Sequence, residues 1–429
     1  MKRLLQPERP ASFNRNPHMS ASEEDPMNID WIAEAHKYAN EITDIREEIH
    51  AFPELGNQEF RTAQLIEDRL HSYGIPTRRL LGTAVIGELH GCKPADAMDA
   101  SVPEESAGSS SIQSGRIVAL RADMDALPIT EKTDWAFESA NHGVMHACGH
   151  DVHMAAALGA ARLLSKHADL LRGTVRFIFQ PDEEGNGGAE RLVKEHVLDG
   201  VSAVFGAHVS PDLPLGTIGI RYGKFYAASD VIRVKVHGRS CHGAEPEKGI
   251  DALHAAARMV TALKKLPLEF LPEHSVLTIG TFRSGTAENI LPGEAEFQGI
   301  IRTLGPDTRA KMKARLLETI QQIEAETGVT AELFIRESYP GVVNTDSETA
   351  CAEGAALRLF GPEHVCRIAE PTMTTEDFGY YVEAAGGSFY HIGVGGDYPL
   401  HNEHFLPPAD APVIGAAMHA AVLFSRLQM

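Results

Sequence analysis

The stretch TVRFIFQ, residues 174–180, does most to limit the fold. It reads as a strand with apolar side chains on both faces, and such a strand is stable only where both faces of its sheet are covered. That environment is a mostly parallel sheet with helices above and below, its strands joined by helical crossovers. The neighbouring sequence keeps this rhythm. TAVIGEL (83–89) and GRIVALRAD (115–123) read as strands, GGAERLVKEHVL (187–198) as a helix, and VSAVFGAHV (201–209) as the next strand. Upstream, Ile32, Ala35, Ala39, Ile42, Ile45 and Ile49 form one helical stripe between Ile29 and Ala51. RTAQLIEDRLHSYGI (61–75) repeats the pattern and ends at Gly74, placed as a helix-terminating glycine.

The rhythm changes after residue 226. DVIRVKVHG (230–238) alternates like a half-buried strand. A helix over 249–266, two strands (SVLTIGTFRSG and GEAEFQGIIRTL), a helix over 307–328 and a last strand, VTAELFIRE, follow. The order β-α-β-β-α-β is that of a ferredoxin-like unit. Alternation of strand and helix resumes beyond it, so the sequence predicts an inserted small domain. The expected divisions are a flexible extension over 1–28, a first catalytic part over 29–226 with a loop insertion at 91–115, the inserted domain over 227–338, and a second catalytic part over 339–429.

Lys and Arg number 39 against 59 Asp and Glu, a net charge of −20. This acidity argues against nucleic acid or an anionic membrane as partner; it does not identify the small-molecule substrate. No run approaches the ~18 apolar residues of a membrane-spanning helix. The N-terminus MKRLLQPERP is basic but lacks the apolar core of a secretory signal. The five cysteines follow no disulfide framework, which predicts reduced thiols and a cytoplasmic protein.

Four acidic or histidine-bearing clusters follow strands: RADMD with Asp123 and Asp125, QPDEEG with Asp182, Glu183 and Glu184, GAHV with His208, and LHNEH with His401 and His404. In an open α/β sheet, ligands gather beyond the carboxyl ends of strands. A fifth stretch, MHACGHDVHMAAALGAA (145–161), carries His146, Cys148, His150, Asp151 and His153. Cys148 and His150 are two residues apart and cannot share a helix face, so they are expected in a turn, with Asp151 as N-cap of the helix that follows. That helix start favours a thiolate at Cys148. A thiolate with imidazoles and carboxylates suits Zn²⁺, Mn²⁺ or Co²⁺. His146 and His153 read as supporting residues. In the adjacent pair Glu183–Glu184, one side chain can bind metal while the other takes a proton from an activated water.

Taken together, RADMDALPI, MHACGHDVHMAAALGAA, FIFQPDEEGNGGAERLV, GAHV, GRSCHGAEPEKGID, TAENILPGEAEFQGIIRT, TEDFGYY and LHNEHF resemble, in order, the aminoacylase/carboxypeptidase family of dinuclear metallohydrolases. Within it, the likeness is to hippurate hydrolases, N-acyl-amino-acid amidohydrolases and indoleacetyl-amino-acid hydrolases. The resemblance implies an α/β, mainly parallel-sheet, dinuclear metallopeptidase-like catalytic domain with an inserted ferredoxin-like α+β lid and dimerisation domain. It implies two divalent metal ions per subunit, with manganese placed first and zinc or cobalt as alternatives. Cys148, His150, Glu184, His208 and His401 would be the ligands, Glu183 the general base, and Asp125 the residue behind a ligand. His242 would reach a partner subunit's site and steady the oxyanion, and Asn289 and Arg302 would face the substrate, an arginine suiting a carboxylate. A homodimer or higher homo-oligomer is expected. Asp182 stands where the family often has alanine, and is expected to add charge beside the base.

The implied activity is hydrolysis of the amide of an N-acyl amino acid, or a related aromatic amide, by a metal-bridging hydroxide. Two other readings stay open from the sequence. One is hydrolytic deamination of an aromatic amine on the same site. The other is a non-catalytic metal- or ligand-binding protein, which the presence of Glu183 weighs against.

Overall fold

The computed structural model describes residues 29–92 and 116–429. The extension expected over 1–28 and nearly all of the insertion expected over 91–115 lie outside the described residues. The chain forms two compact units. The first comprises residues up to Tyr222 with Asn344–Ile368 and Tyr380–Met429; the second comprises Gly223–Val343 with Ala369–Gly379.

In the first unit, chain order runs α1 (Trp31–Lys37), α2 (Ala39–Ala51), α3 (Phe60–Ser72), β1 (Thr77–Leu80), β2 (Ala84–His90), β3 (Ile117–Asp123), α4 (His150–Lys166), β4 (Thr174–Gln180), α5 (Gly188–Lys194), β5 (Val201–Ser210) and β6 (Ile218–Ile220). The single helix expected over 29–51 is two, because the chain turns at Tyr38, whose N–H bonds back to Ala35 O. Gly74 closes α3 with φ +79°, the left-handed conformation that glycine adopts without strain. α5 is shorter than its periodicity suggested: His196 takes φ +59° and Val197 N–H returns to Leu192 O, ending the helix early.

The second unit contains β7 (Gly223–Tyr226), β8 (Ala228–His237), β9 (Cys241–His242), α6 (Ala252–Leu263), β10 (Ser275–Ser284), β11 (Ile290–Leu291), β12 (Glu294–Thr303), α7 (Pro306–Thr327) and β13 (Thr330–Glu337), and the chain leaves it through β14 (Val342–Asn344). Its antiparallel sheet has the order β10-β12-β8-β13. Apolar residues on one side of this sheet, among them Ile232, Val234, Val236 and Phe297, share a core with Met259 of α6 and Leu316 and Ile320 of α7. This is the ferredoxin-like arrangement, all antiparallel with both helices on one face.

The chain returns to the first unit with α8 (Asp346–Phe360), β15 (Val365–Arg367), α9 (Gly379–Ala385), β16 (Gly387–Gly393) and α10 (Ala411–Gln428). The eight strands of that unit lie in the order β1-β2-β4-β3-β5-β16-β6-β15. β4, β3, β5 and β16 run parallel at its centre, and antiparallel pairs flank them. Six of the seven residues of β4 are buried, as a strand covered on both faces requires. α4 is buried along almost its whole length and packs against α10 at very short range. A Cβ at Gly159 would lie 2.6 Å from Ala416 Cβ, and one at Gly415 2.8 Å from Ala156 Cβ. Small residues on both helices allow this approach, and it fixes where the start of α4 meets the sheet. Among the described residues, no helix is long and apolar enough to cross a membrane.

Candidate metal centre

The carboxyl ends of β3, β4 and β5 deliver Asp123 and Asp125, Glu183 and Glu184, and His208 to one edge of the sheet, where Cys148 and His150 open α4. Cys148 is the hub. Its Sγ lies 3.3 Å from His208 Nε2 and 3.3 Å from His401 Nε2, while His401 Nε2 lies 3.1 Å from Glu184 Oε1. Two three-donor groups share the sulfur, Cys148–His150–His208 and Cys148–Glu184–His401, and a third joins His150 to Glu183 and Glu184. Within each, donor atoms lie within 4.8 Å of one another. Ligand atoms about 2.0–2.3 Å from an ion stand at separations of this order.

The imidazoles are oriented from behind. His150 Nδ1 donates to the carbonyl of Asp125 at 2.8 Å and His208 Nδ1 to that of Val209 at 2.8 Å. With Nδ1 committed as donor, Nε2 is the nitrogen left for a metal once its own proton is displaced, the usual arrangement of a histidine that holds a metal. His150 Nε2 is buried without a hydrogen-bond partner among the described residues. A buried polar atom left in this state is costly unless a cation completes it. His401 is held in the left-handed region at φ +64°, with its N–H on Ala147 O. A β-carbon-bearing residue in that region marks a site where surrounding structure imposes the geometry.

The electrostatics favour a cation. Burial alone would push His150 down, but Asp123 and Asp125 outweigh it and hold the imidazole up at about 10. The Cys148 thiol is pushed well above its ordinary value by burial and by Glu184 and Glu183, so a neighbouring cation is needed to keep a thiolate there. This differs from the thiolate expected from the helix start alone: burial and two carboxylates overcome a helix terminus. The residues therefore fit a pair of divalent ions on a sulfur, imidazole and carboxylate donor set.

Two further observations correct local expectations. Asp151 is not the N-cap of α4; Gly149 is, at φ +83°, and Asp151 sits in the first turn. Its carboxylate meets Arg46 Nε at 2.9 Å and His50 Nδ1 at 2.9 Å, and His50 Nε2 continues to Glu131 Oε1 at 3.0 Å. This buried chain braces the turn from the side of α2. Asp182 does not turn its charge toward Glu183: its carboxylate accepts from Asn57 Nδ2 at 2.7 Å and Arg191 Nη2 at 3.1 Å. His404 lies apart from the donor groups, its Nδ1 on Lys132 O at 2.6 Å.

His153 bridges Asp123 Oδ1 at 2.6 Å and the amide of Val209 at 2.9 Å. His146 is fully buried, pushed down to about 3 chiefly by burial, and neither ring nitrogen has a hydrogen-bond partner among the described residues. Asp125 accepts the amides of Glu183 and Glu184 on its two oxygens at 2.9 and 3.0 Å. Arg46, His50, Asn57, Glu59 and Glu131 carried no chemical expectation. The available signal for two of them was spacing: Arg46 and His50 each follow an apolar member of the α2 stripe, four residues apart.

In the second unit, His242 lies on β9 opposite Ile290 of β11. Gly243 N–H donates to Asn289 O at 2.8 Å, so His242 and Asn289 stand beside one short ladder. Arg302 lies on β12, with Nη1 donating to Met373 O at 2.6 Å.

The profile of peptidase family M20/M25/M40 matches residues 119–425. A thermostable carboxypeptidase of Saccharolobus solfataricus is 35% identical over 398 residues, which cover 90% of this chain and 95% of that protein. An N-acyl-L-amino acid amidohydrolase of Geobacillus stearothermophilus is 39% identical over 305 residues, 70% of this chain and 77% of that one. Among solved structures, a dinuclear metal-binding M20 peptidase of Bacillus subtilis superposes with a TM-score of 0.79 at 32% identity, covering 92% of this chain and 99% of that one.

Proposed function

Because this chain belongs to peptidase family M20/M25/M40, we propose a division of labour among its residues in the hydrolysis of an N-acyl amino acid. The protein is a metal-dependent hydrolase of amide C–N bonds. The observation that carries the residue assignment is the pair of donor groups sharing Cys148, with two glutamates on the adjoining turn. Cys148, His150 and His208 would hold one divalent ion, and Cys148, Glu184 and His401 the other. Such ions polarise a carbonyl and make water a ready proton donor at neutral pH. Manganese is our first choice, since imidazole and carboxylate donors outnumber the single sulfur.

Glu183 is the general base. It takes a proton from the attacking water and passes it to the departing nitrogen, so that the products are a carboxylic acid and an amine. Asp125 holds the amides of Glu183 and Glu184 in place. We assign the second unit as lid and dimerisation domain, with His242 donating to the oxyanion and with Asn289 and Arg302 contacting substrate, the arginine through a carboxylate. The five cysteines are unpaired, which fits a reducing, cytoplasmic setting and a homodimer without covalent links. In this reading the first unit supplies the catalytic parts before and after the insertion.

The test is product analysis after incubating Mn²⁺-loaded enzyme with a panel of N-acyl amino acids and aromatic amines. Release of carboxylic acid and free amino acid is expected. Ammonia without a new acid would replace this reading by deamination, and tight metal binding with no turnover would replace it by a binding role.

A further inference from the structure

Three consecutive amides of the turn after β4 end on buried carboxylates. Those of Glu183 and Glu184 share Asp125. The amide of Asp182 donates to Glu59 Oε1 at 3.1 Å, and the other oxygen of Glu59 accepts from Thr83 Oγ1 at 2.8 Å. Glu59 precedes α3 and is fully buried. Burial pushes its carboxyl up to about 7, against the hydrogen bonds that favour the charged form.

The same neighbourhood grips Asp182 by its side chain. Asp182 sits at φ +59°, a conformation that costs a side-chain-bearing residue strain. Its carboxylate is tied to Asn57, itself at φ +62°, and to Arg191. Gly56 and Gly185 close over it, and a Cβ on either would stand 2.4 or 2.2 Å from Asp182 Oδ1. The peptide groups on either side of Asp182 are therefore both pinned, one by Glu59 and one by Asp125. Releasing the first leaves only the Asp125 bond to hold the peptide joining Asp182 to Glu183 while the strained residue relaxes.

We propose that Glu59 is a positioning residue for the general base: by holding the amide of Asp182, it fixes the direction in which Glu183 leaves the turn. The proposal rests on the reading of Glu183 as base. Glu184 is anchored independently through Asp125 and His401, so metal retention is not what Glu59 controls.

The experiment compares Glu59→Ala, Glu59→Gln and Glu183→Gln in the Mn²⁺-loaded full-length enzyme, using the best N-acyl amino acid of the panel. Misplacing a catalytic group by about 1 Å costs on the order of 100-fold. Glu59→Ala should accordingly lower kcat by roughly 10- to 100-fold, with KM and metal content nearly unchanged. Glu59→Gln keeps an oxygen for the Asp182 amide and should restore most of the loss. The proposal is overturned if Glu59→Ala retains the native kcat, if its loss tracks metal content, or if the Gln variant is as impaired as the Ala variant. Should Glu59→Ala not fold, Thr83→Val removes the other anchor of Glu59: a reduced kcat at native metal content supports the proposal, and an unchanged kcat overturns it. An active Glu183→Gln would overturn the base assignment itself. An inactive Glu183→Gln beside a fully active Glu59→Ala would overturn the positioning role alone.

Discussion

Replacing His50 by glutamine should produce a stability loss whose size depends on pH in a calculable way. His50 is buried between Asp151 Oδ2, 2.9 Å from Nδ1, and Glu131 Oε1, 3.0 Å from Nε2. Burial by itself pulls the imidazole down, but the two carboxylates outweigh it and hold it at about 9, against an ordinary 6.5. The folded chain thus binds this proton more tightly than the unfolded chain. The resulting stabilisation is complete below pH 6.5 and disappears as pH rises through 9. At about 1.4 kcal/mol for each tenfold change in proton affinity, it amounts to about 3 kcal/mol. Urea unfolding of native and His50→Gln protein between pH 5.5 and 10 would measure it. Metal-free protein is the right sample, because metal release carries a pH dependence of its own. The packing cost of the substitution adds an offset that does not vary with pH. The gap between the two proteins should narrow by about 3 kcal/mol across the range. A constant gap, or one that widens with pH, would refute the reading of His50 as a charged bridge between Asp151 and Glu131.

Other expected outcomes are more local. Gly149→Ala places a Cβ 2.5 Å from Val209 Cγ2 at a residue with φ +83°; a loss of about 2–4 kcal/mol in thermal or urea unfolding is expected from strain plus overpacking, with reduced metal content by elemental analysis. Glu183→Gln should cut kcat by about 10²- to 10⁴-fold while mass spectrometry of the native protein still finds both ions. Chelation should lower the melting temperature, since ions at a thousandfold excess over Kd add about 4 kcal/mol per site, and re-addition of Mn²⁺ should restore it; an unchanged melting temperature would argue against a metal centre here.

The core strands were legible because burial on both faces leaves an unmistakable apolar run, as in TVRFIFQ. The inserted unit was legible through a change of period. α10 went unread for the opposite reason: nearly every residue from Ala411 to Phe424 is buried, so there is no polar face to reveal a helical repeat. The proposed donors Cys148, His150, Glu184, His208 and His401 could be singled out because they lie in stretches that resemble the family's motifs, and the structure brings their donor atoms into shared groups. Their second layer could not. Glu59 and Asp182 are 123 residues apart in sequence, and nothing in PELGNQE distinguishes a carboxylate that captures a backbone amide from one in water. The need for a cation to keep a thiolate at Cys148 was hidden in the same way, because burial and two facing carboxylates are products of tertiary packing.

The capture of the 182–184 amides by Glu59 and Asp125 also limits what kind of catalyst this turn can be. Many hydrolases meet a nascent oxyanion with main-chain N–H groups. Here those three dipoles face inward and their capacity is already used. The turn offers a substrate carboxylate side chains only, and negative charge formed beside it must be met by a bound cation or by a donor carried on another segment. A scaffold wired in this way is committed to electrophilic help from ions, and could not be converted to an acyl-enzyme mechanism through its main-chain donors at this turn.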